Sequence, residues 1–255
     1  ENEMWRNRAR EIADSIVRPN SKKYDELQEY PWEIKDAIAA AGLMRVWIPK
    51  EYGGEAGATP VLDLCIVVEE ISRACPAIGV LYAVNALGSF PILLAGTEDQ
   101  KKRYLPDIAA GKRLIAFCLS EKTAGSDAQG LKVRGIQDGG KWRIHGEKKW
   151  TTNGGAADIY TVFAVTEPAS ASRKISAFVV EKGMKGFSIG KIEDKMGIRA
   201  VPVVETIFDG VELTDDHLLG GKPGQGFKHA MMTLDRARPG VASQGVGCAQ
   251  GALDL

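Results

Sequence analysis

The stretch Ala116–Asp127, which reads AFCLSEKTAGSD, marks the point where the sequence changes from helical to β patterning. Its apolar first half predicts a short strand. Its Ser, Thr and Gly residues predict a loop that exposes several backbone N–H groups and hydroxyls together. Such a loop suits a pyrophosphate or a carbonyl-rich ring, although composition alone favours an ordinary surface turn.

The residues before this stretch show the periodicity of helices. Apolar side chains upstream of Pro19 share one helical face, and we expect Pro19 to end that helix because proline lacks a backbone N–H. Thr97 and Gln100 have the spacing of a capping box, which predicts the start of a further helix. The first hundred residues are therefore predicted to be helical.

The residues after it show short β-branched runs separated by turns, up to about Leu213. Asp138-Gly139-Gly140 lies between two such runs and predicts a β-hairpin, since glycine readily adopts positive φ. Their spacing is typical of a β-barrel or sandwich. Helical patterning returns after Gly226, and Pro239 within it predicts a kink or a break.

The predicted fold class is therefore α+β, with three regions. These are an N-terminal helical bundle (residues 1–113), a middle β-barrel or sandwich domain (114–222) and the start of a C-terminal helical bundle (223–255). Because the last predicted helix has no C-cap signal, we expect the chain to be truncated before most of that bundle.

Composition narrows the possible functions. The 255 residues include 33 basic and 33 acidic side chains, and zero net charge argues against binding to nucleic acid or anionic lipid. Four widely spaced cysteines and three unpaired histidines predict neither a disulfide framework nor a metal site, and the default is a reducing compartment. Ala77–Gly96 lacks charge over a membrane-spanning length, but its polar and helix-breaking residues favour a buried helix over a span.

Three further stretches are candidates for chemistry. Lys148–Gly155 places Trp150 beside two hydroxyls, and a tryptophan at a strand end is more often core than a cofactor platform. Gly220–Phe227 is glycine-rich but matches neither a Rossmann fingerprint nor a P-loop, so a tight helix-entry loop is preferred. Leu234–Pro239 carries two arginines, which indicate either a solvated face or a phosphate contact.

The order and spacing of these stretches resemble the acyl-CoA dehydrogenase family over essentially the whole chain. Members of this family have an N-terminal helical domain, a β-domain and a C-terminal four-helix domain. The segments that carry the resemblance are Gly42–Pro49, Tyr52–Gly54, Ala116–Asp127, Gly146–Gly154, Ala157-Asp158, Lys195–Arg199, Phe208–Phe227 and Leu234–Arg238.

The resemblance implies an FAD-dependent enzyme that oxidises an acyl-CoA thioester to a 2-enoyl-CoA by α-proton abstraction and β-hydride transfer to flavin N5. It places Trp150 against the isoalloxazine and the Thr152 hydroxyl near N5. The residues implied to bind the cofactor are Phe117, Cys118, Leu119, Ser120, Gly125, Ser126, Trp150, Thr151 and Thr152. Those implied to bind the substrate are Ser126, Asp235, Arg236, Ala237 and Arg238.

The sequence departs from the family pattern at three positions. A minority of the family carries the catalytic base at the position of Ala237, which cannot abstract a proton. No catalytic base is therefore expected in this chain, and the missing C-terminal segment is expected to supply it. Lys122 and Thr123 stand where relatives usually have proline and glycine, which leaves their own FAD contacts open.

Partners and location are also implied by the resemblance. Electrons are expected to pass to an electron-transferring flavoprotein, and the full-length protein is expected to be a homotetramer. The location is cytoplasmic in a bacterium or the mitochondrial matrix in a eukaryote. In relatives the helix that matches residues 77–91 helps to close the acyl pocket. Because it contains no basic side chain here, a glutaryl-type substrate, which would need a counter-charge, is disfavoured. The alternatives are a flavin oxidase or monooxygenase on the same fold, and an inactive CoA-binding relative.

Overall fold

A computed structural model describes residues 2–166 and 174–255. Within these residues, six α-helices precede the sheet, one follows it, and the sheet has seven strands. The helices are α1 (Asn2–Ile12), α2 (Arg18–Leu27), α3 (Trp32–Ala40), α4 (Pro60–Ala74), α5 (Pro76–Ala95), α6 (Glu98–Ala109) and α7 (Gly226–Leu253). The strands are β1 (Ile115–Cys118), β2 (Arg134–Asp138), β3 (Lys141–Thr152), β4 (Ile159–Thr166), β5 (Ile175–Glu181), β6 (Phe187–Ile192) and β7 (Val203–Leu213).

The architecture is α+β, as predicted, with the sheet curled into a half-barrel. Strand order is β1-β4-β2-β3-β7-β6, and β5 pairs with β4. Strand β4 runs parallel to β1 and β2, while the other pairs are antiparallel. The predicted hairpin is confirmed: Asp138 pairs with Lys141, and the two glycines between them have φ of 58° and 78°.

Local capping signals were more reliable than the proline signals. The Thr97–Gln100 capping box is confirmed, with both reciprocal hydrogen bonds present. The prediction that Pro19 ends a helix is wrong, because the chain stays helical from α1 through a π-helical turn (Ala13–Val17) into α2, and Pro19 follows directly after that irregular turn. Of the kink or break predicted at Pro239, the break is absent, since α7 is one continuous helix. Pro239 is exposed, so water can hydrogen-bond the carbonyl that the proline leaves without a partner.

Helix α5 lies between the other helices and the sheet. Within the described residues it is the one helix long and apolar enough to cross a membrane, yet most of it is buried inside the protein. The Asn85 amide joins it to the sheet, since its oxygen accepts from Ile115 N at 3.1 Å and its nitrogen donates to Leu81 O at 2.8 Å. These contacts favour the predicted core helix and fix β1 against it.

Helix α7 packs closely on α4 through two glycines. A Cβ at Gly247 would lie 2.2 Å from the Glu69 carbonyl oxygen, and a Cβ at Gly251 would lie 2.2 Å from the Arg73 carbonyl oxygen. Both obstructions are helix backbone, which cannot rotate away as a side chain can. Close approach of α7 to α4 therefore depends on these two positions.

We expect Gly247→Val to lower the free energy of unfolding by about 1–3 kcal/mol, because the two helices must move apart. Gly245→Val is the matched control, since Gly245 is exposed on the same helix and a Cβ there would meet no atom of the described residues within 4 Å. Urea unfolding of both variants measures the difference. Equal stabilities would show that α7 is not held tightly against α4.

Candidate functional site

The first candidate segment leaves the sheet at the end of β1 and divides into buried and exposed parts. Cys118 and Leu119 are buried. Burial raises the pKa of the Cys118 thiol to about 11, which keeps it protonated and unreactive. Gly125 and Ser126 are exposed further along the loop. The Phe117 ring is partly buried against Phe163, with ring centroids 5.1 Å apart.

Trp150 is presented to solvent by an irregularity in β3. The register between β3 and β7 shifts between Lys148 and Thr151, which is the signature of a β-bulge. Trp150 lies in the left-handed region, with φ of +57°, and 52% of its surface is exposed. A large side chain in that backbone conformation is unfavourable, so this strained, exposed ring is a candidate ligand contact.

The two threonines after Trp150 point in different directions. The Thr151 hydroxyl is fully buried and lies 3.6 Å from Cys118 Sγ and 3.4 Å from Thr206 Oγ1. Thr152 is only partly buried, and it contributes to the wall of a cavity. Of the two, Thr152 is therefore the one whose side chain reaches open space.

That cavity has a volume of about 200 Å³ and lies between α5, α7 and the end of β3. Among the residues that the structure describes, no charged side chain lines it, and Thr152 and Gln244 are its polar members. An apolar wall of this kind accepts a hydrocarbon chain and excludes water. Its lining residues are Leu64, Val80, Ala83, Val84, Ala86, Leu87, Phe90, Thr152, Ala237, Gly240, Val241 and Gln244.

The four predicted substrate residues on α7 are not brought together by the structure. Ala237 lines the cavity, whereas Asp235, Arg236 and Arg238 are exposed on the helix surface. Arg238 and Asp235 form a long ion pair of 3.8 Å between largely exposed side chains. Among the described residues no carboxylate lines the cavity, so none is positioned to take a proton from a molecule bound in it.

The two candidate flavin segments lie side by side. Lys149 N donates to Ser120 O at 2.9 Å, which holds β3 against the residues that follow β1. Ser120 is partly buried at this junction. Ser126 lies on the exposed part of the same loop, where Asp127 Oδ1 accepts from Gln129 N at 3.2 Å. The backbone of the first segment therefore runs beside β3 at Lys149, the residue before Trp150.

Sequence reasoning missed that two charged side chains, Lys148 and Glu121, are buried at this junction. Lys148 is fully buried, and its Nζ lies 2.7 Å from Glu121 Oε1 and 2.9 Å from Leu119 O. The signal that identifies it is the period of two along β3, because Trp142 and Ile144 are also buried. A lysine separated from those residues by an even number of positions is predicted to face the core with them.

The chain is similar to proteins of one family over almost its whole length. Residues 1–112 match the family model of the acyl-CoA dehydrogenase N-terminal domain, and residues 116–211 match that of the acyl-CoA dehydrogenase middle domain. A probable acyl-CoA dehydrogenase, fadE25, of Mycobacterium leprae is 42% identical over 245 residues, which are 96% of this chain and 62% of that protein. The chain thus spans less than two thirds of the length of that relative.

Solved structures give the same result. Butyryl-CoA dehydrogenase from Megasphaera elsdenii superimposes with a TM-score of 0.94 at 35% identity, covering 99% of this chain and 67% of that one. A glutaryl-CoA dehydrogenase from Mycobacterium smegmatis in complex with FADH2 has a TM-score of 0.90 at 27% identity, covering 99% of this chain and 63% of that one.

Proposed function

The chain belongs to the acyl-CoA dehydrogenase family, whose members are FAD-dependent oxidoreductases, and on that premise we propose that it binds FAD and oxidises an acyl-CoA to a 2-enoyl-CoA. The observation that carries the proposal is the juxtaposition at the end of β3. Trp150 is exposed there, and Thr152, two residues later, borders an apolar cavity.

The residues present fit a flavin. An exposed indole held in a strained backbone offers a face for a planar ring system. The loop from Phe117 to Ser126 supplies backbone groups and hydroxyls for a pyrophosphate. The relative in complex with FADH2 has the same fold over this region. When bound, FAD supplies the acceptor for a hydride from the substrate β-carbon.

The chain's own residues contribute binding, orientation and exclusion of water. The cavity holds the acyl group by apolar contact and places it against Thr152 in the cavity wall. Immobilising the acyl chain converts a bimolecular encounter into an oriented one. The exposed arginines on α7 are proposed to contact the CoA portion, as is Ser126.

The acyl group is proposed to be aliphatic and to lack a second carboxylate. Within the described part of the chain no charged side chain lines the cavity, so a carboxylate buried there would be without a counter-ion.

The proton acceptor is proposed to come from the third of the relatives' length that lies outside the matched region. Ala237 has no ionisable group, and no carboxylate among the described residues lines the cavity. The electron acceptor is proposed to be an electron-transferring flavoprotein, in a homotetramer located in the cytoplasm or the mitochondrial matrix. The proposals on the electron acceptor, the oligomeric state and the location rest on family membership.

An anaerobic titration tests the proposed function. The protein expressed from its complete reading frame is loaded with FAD and titrated with acyl-CoAs of increasing length, while the visible flavin absorbance is followed. We expect bleaching with an aliphatic acyl-CoA and none with glutaryl-CoA. Failure to bind FAD would overturn the proposal. Flavin that is reduced and then reoxidised rapidly by air would identify an oxidase, and acyl-CoA binding without bleaching would identify an inactive relative.

The exposed arginine on α7 gives a separate prediction. We expect Arg238→Ala to raise the dissociation constant for CoA about tenfold, the effect of losing a charge-assisted hydrogen bond to phosphate. Stability should change little, since Arg238 is exposed and its ion pair is long. Arg143→Ala, which removes another exposed arginine with a surface ion pair, is the control for calorimetric binding. An unchanged dissociation constant for CoA would show that Arg238 is an ordinary solvent-exposed side chain that does not contact CoA.

A further inference from the structure

A fully buried ion pair lies between the two proposed flavin segments. Lys148 Nζ donates to Glu121 Oε1 at 2.7 Å and to Leu119 O at 2.9 Å. Glu121 is 5% exposed, and its carboxylate also accepts from Lys132 N at 2.7 Å and Val133 N at 3.0 Å. One lysine side chain therefore connects β3 to the turn after β1, and the glutamate connects that turn to the chain entering β2.

Stability does not account for such a pair. Removing two charges from water costs several kcal/mol per ion, and well-packed apolar residues in the same place are often as stabilising or more so. The pair instead fixes the local arrangement of the chain, because its four hydrogen bonds can all form in only one arrangement of the connected segments.

The hydrogen bonds of the pair fix the position of the turn. An apolar contact would not do so, because it has no preferred direction. The bond from Lys149 N to Ser120 O is a backbone contact, and a single contact of this kind leaves the turn free to pivot. The Lys148 side chain adds a second attachment one residue to either side, at Leu119 and Glu121. Together they hold three successive residues of the turn against β3.

We propose that Lys148, through its ion pair with Glu121, is a positioning residue that holds the Leu119–Glu121 turn in register with Trp150 and so shapes the flavin site. The inference rests on the proposed function, because it assigns the turn and Trp150 to one ligand. Lys148 itself is enclosed in protein, so its effect passes through the turn rather than through direct contact with a ligand.

The test replaces both charges by neutral groups of similar shape, in Lys148→Met/Glu121→Gln. A single Lys148→Met change would leave the buried carboxylate with two backbone donors and no cation, which can prevent folding. The matched control is Lys141→Met/Glu212→Gln, which removes an exposed ion pair of 2.5 Å that also begins on β3. Unfolding temperature without flavin, the FAD dissociation constant, and the visible circular dichroism of bound FAD are measured for all three proteins.

We expect the Lys148/Glu121 double variant to fold, to bind FAD at least ~10-fold more weakly and to show an altered flavin circular dichroism, while the control matches the wild type. Wild-type FAD affinity and an unchanged spectrum in the double variant would overturn the inference. Should the double variant fail to fold, Lys148→Arg is measured in its place, since it keeps a cation beside Glu121 but changes the length and donor geometry of the side chain, and it must still alter the flavin spectrum. A wild-type protein that binds no FAD would instead contradict the proposed function.

A pH profile separates positioning from simple stability. Burial lowers the pKa of Lys148 to about 8, and the groups acting on it are Glu121, which opposes that shift, and the Cys118 thiol. The pKa of Cys118 is raised to about 11, so that thiol stays neutral in this range. At pH values between the lowered pKa of about 8 and the ordinary pKa of 10.5, Lys148 binds more protons in the unfolded chain than in the folded one. The contribution of this lysine to stability therefore rises with pH over that range.

The ion pair nevertheless weakens over the same range, because Lys148 loses its charge. We expect the FAD dissociation constant of the wild type to rise above a pH of about 8, and that rise to be absent in the double variant. A merely structural role would leave the two profiles parallel, and parallel profiles would overturn the inference.

Discussion

Trp150→Gly is expected to abolish tight FAD binding while leaving the flavin-free protein as stable as the wild type. The backbone at Trp150 has φ of +57°, a conformation that costs a non-glycine residue about 1 kcal/mol and glycine almost nothing. Because about half of the ring is exposed, removing it sacrifices only part of the burial energy of a tryptophan. The two effects on stability have opposite signs and similar size.

The effect on binding has no such compensation. Stacking of a planar heterocycle on an aromatic side chain contributes about 1–3 kcal/mol, so the FAD dissociation constant should rise about 5- to 150-fold. Fluorescence titration with FAD measures the constant, and calorimetry measures the unfolding temperature without flavin. Gln28→Gly is the control, since Gln28 also has a positive φ, of 55°, and lies at the end of α2. Unaltered FAD affinity in Trp150→Gly would contradict a role for the ring in the flavin site.

The features that the sequence predicted are those fixed by near neighbours. Thr97 caps α6 through a residue three positions away, and Gly139-Gly140 turns a chain whose strands are adjacent. The resemblance to a family extended the same reasoning to Trp150 and Thr152, because the motif that contains them is continuous in sequence.

The features that it missed depend on distant parts of the chain. The cavity needs α5, the end of β3 and α7, so no window of sequence contains its wall. Lys148 is buried because Glu121, 27 residues away, neutralises it, and lysine alone predicts an exposed side chain. Pro239 failed as a helix breaker because the consequence of a missing N–H depends on access to water, which only the folded chain determines.

Gly240→Leu is expected to stabilise the protein and to block its substrate. Gly240 is buried in α7 and borders the cavity, yet a Cβ there would meet no atom of the described residues within 4 Å. A side chain can therefore enter the cavity without displacing the backbone. Replacing a helical glycine contributes about 0.5–1 kcal/mol through helix propensity, and the leucine also buries apolar surface. The same leucine occupies space that the acyl chain is proposed to need.

Steady-state kinetics with the preferred acyl-CoA, on the protein from the complete reading frame, should show kcat/KM reduced at least ~100-fold, about 2.7 kcal/mol of lost transition-state binding. FAD affinity should be unchanged. Gly245→Leu is the matched control, because Gly245 has equally open space but lies on the exposed side of the same helix. It should gain helix propensity and keep its activity. Gly240→Ala should be intermediate, since a methyl group fills only part of the cavity. If Gly240→Leu turned over acyl-CoA like the wild type, the acyl group would bind elsewhere, and the cavity between α5 and α7 would have to be assigned a different occupant.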